Sequence, residues 1–396
     1  MLYADDTALL ADSPLGLQRC LDGMFEYCKL WQLQVNVEKT KITVFESQKS
    51  AAQDAVFRYN GDILEVVPKF KYLGIILSFN GSLKPCIEYL CEQGWKAIFA
   101  ILRKSRNIGL SVSSQIDLFH KLVVPVITYG CELWGYENLD AVDKLHLKFL
   151  RFVLRLKANT TVAMILGETG EVPISMYIQA RMCKYFCKLT VDNHATLASK
   201  MFSLVFHMHN NSFYKVKWLK KVKGLFDSLG YLFIFNNCKS FNPKFMYELI
   251  FSGLKNNFIL KWKESLISHS KCDLYSLFKV NFVQEKYLSV LSPVLAISLC
   301  RYRCCNHKLE VESLRFTRPK IERHNRKCRK CDLNEIGNEI HHLLVCPAFE
   351  DLRIRYIEKR FHEKVSVHKF LNLMSCSKRK QLVNLSLFVR SSMSQY

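Results

Sequence analysis

The sequence predicts an α+β chain with three textures: short antiparallel strands plus a helix, then a mostly helical stretch, then a small metal-binding segment. Three observations predict it. Turn dipeptides at Asn60-Gly61 and Asn80-Gly81 punctuate short apolar runs near the start. Apolar residues recur at helical spacing from about residue 83 to about residue 300. Cysteines, histidines and arginines then crowd together up to about Glu350. With 396 residues the chain can bury a real core and hold several modules. Apolar residues make up 49% of it and charged residues 23%, a folded composition rather than a disordered one.

Taken in order, residues 1–10 read as apolar segments either side of Asp5-Asp6, a tight hairpin with the acids at its turn. Ser13 caps a helix that Pro14 begins, with Leu17, Leu21, Met24, Phe25 and Cys28 at helical spacing. Residues 35–45 read as a loop entering a strand. Strands at residues 55–59 and 62–66 pair through Asn60-Gly61, and another strand runs over residues 71–77. Helices are predicted over residues 87–105, 114–124 and 139–156. Residues 213–224 are basic and aromatic, with Lys215, Lys217, Lys220, Lys221 and Lys223 around Tyr214 and Trp218. That stretch reads either as a phosphate contact or as an amphipathic packing helix. The last thirty or so residues read as a terminal helix or a loose tail.

The formal net charge is +22, from 57 basic and 35 acidic residues, and such an excess attracts polyanions. Nucleic acid is the expected partner, with an anionic membrane surface as its rival. No stretch reads as a membrane span: the apolar run at residues 118–129 is short and carries Lys121. Asp5 and Asp6 fall where a signal peptide would lead from a basic start into an apolar run. The chain is therefore expected inside the cell, with its sixteen cysteines as reduced thiols or metal ligands. Cys183 and Cys187, among apolar neighbours, read as small core residues.

Tyr3-Ala4-Asp5-Asp6 is the sharpest short signal. Two adjacent carboxylates on a tight turn suit magnesium, a hard cation that prefers oxygen. Two such metals lower the barrier to in-line phosphoryl transfer. On its own an Asp-Asp pair is more often a solvated acidic turn. Here it is followed by Leu33-Gln34-Val35-Asn36-Val37-Glu38-Lys39-Thr40-Lys41 and by Phe70-Lys71-Tyr72-Leu73-Gly74. In order and spacing these three segments resemble the palm motifs of reverse transcriptases. The Tyr-Leu-Gly form after Lys-Thr-Lys is similar to the non-LTR (LINE-type) retrotransposon class. Residues 124–130 with Trp134, residues 145–155 and residues 165–174 resemble later segments of the same enzymes, although each reads by itself as structural core.

The resemblance implies a parent RNA-directed DNA polymerase that copies element RNA from a nicked DNA end. Asp5 and Asp6 would be its magnesium-binding catalytic pair, and Tyr3 would line the site near the primer–template. Lys39 would assist proton transfer to pyrophosphate or stabilise triphosphate charge, and Tyr72, Leu73 and Gly74 would be the turn of a short hairpin motif that positions the primer end. The implied partners are an RNA template and a DNA primer or target, in the nucleus or in a cytoplasmic ribonucleoprotein. The implied division is the C-terminal part of a palm (1–80), a helical thumb (81–160), a helical connector (161–300), a basic zinc-knuckle-like segment (301–350) and a C-terminal helix or tail (351–396). The family also uses a third carboxylate and fingers residues upstream of the acidic turn, which only Met1 and Leu2 precede here. Met1 is accordingly expected to be an internal methionine used as a start, and the chain alone is expected not to polymerise.

Cys328-x2-Cys331-x9-His341-x4-Cys346 is the second sharp signal. Thiolates and an imidazole suit zinc in tetrahedral geometry, and four protein ligands make a closed structural site. His342 is an alternative ligand, with x10 and x3 spacing. Without a metal the same residues are a cysteine-rich helical end. Cys304 and Cys305 fall outside the four-ligand count and read as core or free thiols. Around the cluster lie Arg315, Arg318, Lys320, Arg323, Arg326, Lys327, Arg329 and Lys330. Such groups neutralise phosphates largely without regard to sequence, their rival reading being a solvated charged face. Glu339 and Cys346-Pro347, with His307-Lys308-Leu309, Glu312 and Arg323 upstream, resemble the zinc-binding C-terminal segment of non-LTR enzymes. The rival functional class is a catalytically inactive nucleic-acid-binding relic acting through the basic thumb and the zinc segment.

Overall fold

The computed structural model describes residues 2–45, 55–191, 196–211, 215–237, 241–315 and 317–396. Met1, Phe213 and Tyr214 lie outside the described residues. The chain divides into two compact units, Met1–Leu90 and Cys91–Tyr396.

The first unit is a small mixed layer of strands and one helix. β1 (Leu2–Tyr3) and β2 (Asp6–Thr7) pair antiparallel, with Tyr3 opposite Asp6. The turn is Ala4-Asp5, and Ala4 takes a left-handed φ of +53°. Asp6 therefore opens β2 rather than sharing the turn. In α1 (Pro14–Leu30), the Ser13 hydroxyl accepts from the Gly16 N–H at 3.2 Å and Pro14 occupies the first turn. This helix buries Leu21 and Cys28, and Leu17, Met24 and Phe25 complete its inner stripe.

Against that stripe lies a three-stranded sheet, with β5 (Asp62–Val66) between β3 (Lys41–Ile42) and β4 (Phe57–Tyr59). β3 runs parallel to β5 and β4 antiparallel to it. Alternation buries Phe57 and Tyr59 and leaves Arg58 outside. Leu21, Ile42, Phe57, Tyr59 and Leu64 form the core, each contributing about 1.5–3 kcal/mol if fully buried. Asn60 (φ +51°) and Gly61 (φ +87°) make the expected hairpin turn, whose two left-handed positions match the twist of the strands. β4 is a sheet edge, and the Gln18 side chain closes it. Its Nε2 donates to the Arg58 carbonyl at 2.8 Å and its Oε1 accepts from the Arg58 N–H at 3.0 Å.

The single strand expected over residues 71–77 is instead a second hairpin, β6 (Lys69–Tyr72) and β7 (Ile75–Ser78). The chain reverses at Leu73 (φ +46°) and Gly74 (φ +83°). A leucine rarely adopts that conformation, so the apolar run through the turn hides it.

The second unit is helical, as the periodicity predicts. α2 (Lys84–Ile108) carries the chain into it and extends the predicted helix at both ends. The helix expected over residues 114–124 is broken into Val112–Leu118, a wide turn at Phe119–Val123, and Val124–Ile127. Pro125 has no N–H for the Lys121 carbonyl, which accounts for the loosened turn before it. Helix Asp140–Leu154 buries Val142, Leu145, Phe149, Leu150 and Val153 at helical spacing. Helix Ile174–Val191 packs along Pro243–Ser268. Their shared core holds Cys183 and Cys187 and centres on Phe186, stacked on Phe235 at 4.8 Å.

In the basic stretch, helix Lys217–Ser228 buries Leu219, Val222, Leu225 and Phe226, while Lys217, Lys220, Lys221 and Lys223 face out. Residues expected to end in a helix or a loose tail form helices Val367–Met374 and Arg379–Met393, and the latter packs on Pro293–Arg303. The described cysteines are free thiols. No helix among the described residues is long and apolar enough to cross a membrane.

Candidate metal centre and acidic turn

Cys328, Cys331, His341 and Cys346 converge so that their ligand atoms all lie within 4.8 Å of one another. A short β-ladder makes this possible. Cys328 N–H donates to the Glu335 carbonyl and Gly337 N–H to the Arg326 carbonyl, both at 2.9 Å, which folds Cys328-x2-Cys331 into the loop between them. Lys330 N–H points at the Cys328 sulfur at 3.4 Å. The second pair comes from one wide helical turn, His341–Val345, after which Cys346 N–H returns to the His341 carbonyl at 2.7 Å. Buried Arg353 fastens the exit by donating to the carbonyls of Leu343 and Cys346.

The separations suit one ion. Cys328 and Cys346 sulfurs are 3.9 Å apart, and the Cys331 sulfur is 3.3 Å from His341 Nε2. Ligands at tetrahedral zinc distances lie ~3.4–3.8 Å from one another. Burial pushes the Cys346 thiol up to about 12 and raises Cys328 as well. That penalty on thiolates is what a bound divalent cation offsets. Glu335 Oε2 sits 2.9 Å from His341 Nδ1, which fixes the ring with Nε2 toward the cluster. Sequence reasoning missed Glu335, whose only signal is an acidic residue between the two ligand pairs. His342, the alternative ligand, is buried elsewhere, with Nδ1 3.0 Å from the Tyr302 hydroxyl. The donor set and geometry fit a zinc-like metal site.

The basic residues around the centre divide by what they hold. Arg326 is buried and donates to the carbonyls of Ile321 and Val311, so its guanidinium serves the fold. Arg315 is part-buried against Glu312 and Ser270, and Arg323 pairs with Asp273. Lys320 lies 3.3 Å from Glu322 with both ends in solvent, and Lys330 donates to the Gln395 carbonyl at 2.8 Å. Lys327 is half-buried, and Arg318 and Arg329 are exposed.

In the first unit, Tyr3, Asp5 and Asp6 are exposed at the β1–β2 turn. Among the described residues, the groups of three or more metal-ligating side chains do not include Asp5 or Asp6. Asn36 builds the lysine segment into a compact turn: its side chain accepts from Lys39 N–H at 3.0 Å, and Thr40 donates to its carbonyl at 2.8 Å. Lys39 is exposed, while Lys41 reaches Glu65 at 2.7 Å. Tyr72, Leu73 and Gly74 form the tip of the β6–β7 hairpin.

Residues 1–77 match the family described as reverse transcriptase (RNA-dependent DNA polymerase). A stretch of 163 residues is 30% identical to a probable RNA-directed DNA polymerase from transposon BS of Drosophila melanogaster, covering 38% of this chain and 18% of that protein. Over these matched stretches the chain is homologous to transposon RNA-directed DNA polymerases. It is also 27% identical over 161 residues to the RNA-directed DNA polymerase from mobile element jockey of Drosophila funebris, covering 38% of this chain and 17% of the relative. A putative uncharacterized transposon-derived protein of Caenorhabditis elegans is 26% identical over 149 residues, 34% of this chain and 48% of the relative. The matches thus span less than half of each of these relatives. No solved structure matches the chain.

Proposed function

We propose that this chain is a nucleic-acid-binding protein of reverse-transcriptase descent, acting through its Cys/His metal centre and the basic surface around it. The observation that carries the reading is the convergence of Cys328, Cys331, His341 and Cys346 beside exposed Arg318, Lys320, Arg323, Arg329 and Lys330. Zinc held there would supply no chemistry, only a fixed fold for the loop that presents these cations. The net charge of +22 and the outward lysines of helix Lys217–Ser228 support the same partner class. The test is filter retention of labelled RNA and duplex DNA across a salt series. Retention that falls linearly in log–log form with salt is expected, and a protein that retains neither polymer at low salt sinks the reading.

The second reading, favoured by the family match over residues 1–77, is that the chain is the C-terminal portion of a non-LTR polymerase. The Tyr72-Leu73-Gly74 tip after Lys39-Thr40-Lys41 supports that class. In it the five-part division from palm to tail holds, and Asp5 and Asp6 hold magnesium, which supplies nucleotidyl transfer. Tyr3 and the Tyr72–Gly74 tip position the primer, Lys39 faces the triphosphate, and the partners are template RNA and a DNA end. Its place is the nucleus or a ribonucleoprotein. Metal-dependent primer extension by the purified chain, abolished in Asp5→Asn/Asp6→Asn, would favour this reading over the first.

A further inference from the structure

A second group of ligand-type side chains lies outside the Cys/His centre. Cys305, His307 and Glu339 are all buried, and their ligand atoms lie within 4.8 Å of one another. Glu339 Oε1 is 3.4 Å from the Cys305 sulfur and 3.0 Å from His307 Nε2. We propose that these three residues form a second metal site, taking a zinc-class divalent cation through one thiolate, one imidazole and one carboxylate.

Four observations carry it. The separations are within a few tenths of an ångström of the ~3.4–3.6 Å that sulfur, nitrogen and oxygen ligands keep around tetrahedral zinc. The charges close: a thiolate and a carboxylate with a neutral imidazole balance a divalent cation, in surroundings where unbalanced charge is expensive. The short segment that carries two of the ligands holds three buried polar atoms without hydrogen-bond partners, Asn306 Nδ2, Asn306 Oδ1 and His307 Nδ1. So many in three residues is unusual for a segment whose only task is packing. Finally, the group has access to solvent. Cys305 and Glu339 line a cavity of about 510 Å³ whose walls carry both signs, Lys271, Arg315 and Arg323 beside Glu312 and Glu322. Three protein ligands leave a fourth position, as open sites do. Cys305, which reads from sequence as a core or free thiol, thus becomes a ligand, held by a left-handed backbone of φ +51°.

Cobalt(II) titration of the metal-stripped full chain, followed by absorption and by metal analysis, tests the site. Two equivalents are expected. The second should add about a third of the thiolate charge-transfer absorbance of the first, one sulfur against three. Cys305→Ser should keep one equivalent with the three-thiolate spectrum. Saturation of the unaltered chain at one equivalent overturns the proposal without recourse to any variant. So does a Cys305→Ser chain that still takes two with an unchanged spectrum.

Discussion

Arg303 grips Glu168 with two parallel bonds, Nε to one carboxylate oxygen at 2.9 Å and Nη2 to the other at 3.0 Å, and neither side chain reaches solvent. The Tyr287 hydroxyl also donates to Glu168, Glu285 approaches Arg303 at 3.2 Å, and Lys279 pairs with Glu285. The fork ties helix Val162–Thr169 to helix Pro293–Arg303, which leads into the metal-binding segment. Removing one partner strands a buried charge, so Glu168→Ala or Arg303→Ala should each lose about 3–5 kcal/mol. The double change Glu168→Met/Arg303→Met should recover most of it. Urea unfolding followed by far-ultraviolet circular dichroism reads both. A single variant that unfolds with the unaltered chain would show that the pair carries no stability.

Glu171 makes stability depend on acidity in both directions. Burial alone would raise its carboxyl, but hydrogen bonds and charge from His120 and His146 outweigh burial and hold it at about 2. The bond to Glu171 in turn raises His120 above the ordinary histidine value, against burial and with help from Asp117. A depressed carboxyl contributes stability above its unfolded value of ~4.3, lost as pH falls toward its folded value. A raised histidine contributes fully below ~6.5, and that share is lost as pH rises through the folded value. Thermal melts from pH 3 to pH 9 should therefore give a dome, and Glu171→Gln should flatten both limbs. A variant with the same two slopes would refute the assignment.

Two kinds of arginine surround the metal centre, and they should fail differently. Arg318→Ala/Lys320→Ala/Arg329→Ala should weaken nucleic-acid binding and lower its salt slope by up to ~0.9 for each duplex phosphate no longer neutralised, with melting unchanged. Arg326→Ala leaves the Ile321 and Val311 carbonyls without their donor and should lower the melting temperature instead. Comparing binding isotherms with melts separates the two, and a triple variant that melts early would erase the distinction.

Chelation should unfold a part of the chain rather than the whole. Zinc-binding energy is folding energy where ligands come from a short loop, so metal removal should expose residues 326–346 to protease while helix Ile174–Val191 stays protected. Hydrogen exchange measured before and after chelation locates the change. Uniform protection in both states would mean that the loop folds without its ion.

Gly170 is a position where only glycine fits. Its φ is +67°, and a Cβ there would sit 2.4 Å from the Gln284 backbone nitrogen. Gly170→Ala should cost ~2 kcal/mol or more. Gly224→Ala, within helix Lys217–Ser228 and with nothing near its added methyl, should gain ~0.5–1 kcal/mol. Denaturant midpoints of the two variants should move in opposite directions.

What the sequence discloses is local. Ser13-Pro14, Asn60-Gly61 and the Cys-x2-Cys step each carry their meaning within four residues, and each appears in the structure as read. The reversal at Leu73 is hidden from the apolar pattern, where only Gly74 signals it, and the likeness of residues 70–74 to a family hairpin motif is what points to a turn. Partners far apart in the chain leave no trace at either end: Glu168 and Arg303 are 135 residues apart, and His120 and Glu171 are 51 apart. Arg326 shows the limit most clearly. Its neighbours in sequence make it one of a run of cations, and only the fold shows that its charge points inward at two carbonyls.

The Gln18 amide has a consequence for how the molecule behaves in a crowd. Arg58 is the middle residue of a three-residue edge strand, and Gln18 takes up both its N–H and its carbonyl. A carboxamide thus mimics the next strand and terminates the ladder. Without it, that peptide group would be left open to pair with another strand. One side chain on a neighbouring helix therefore closes that edge position to further strand pairing, a role that measuring how stably the isolated molecule folds would not reveal.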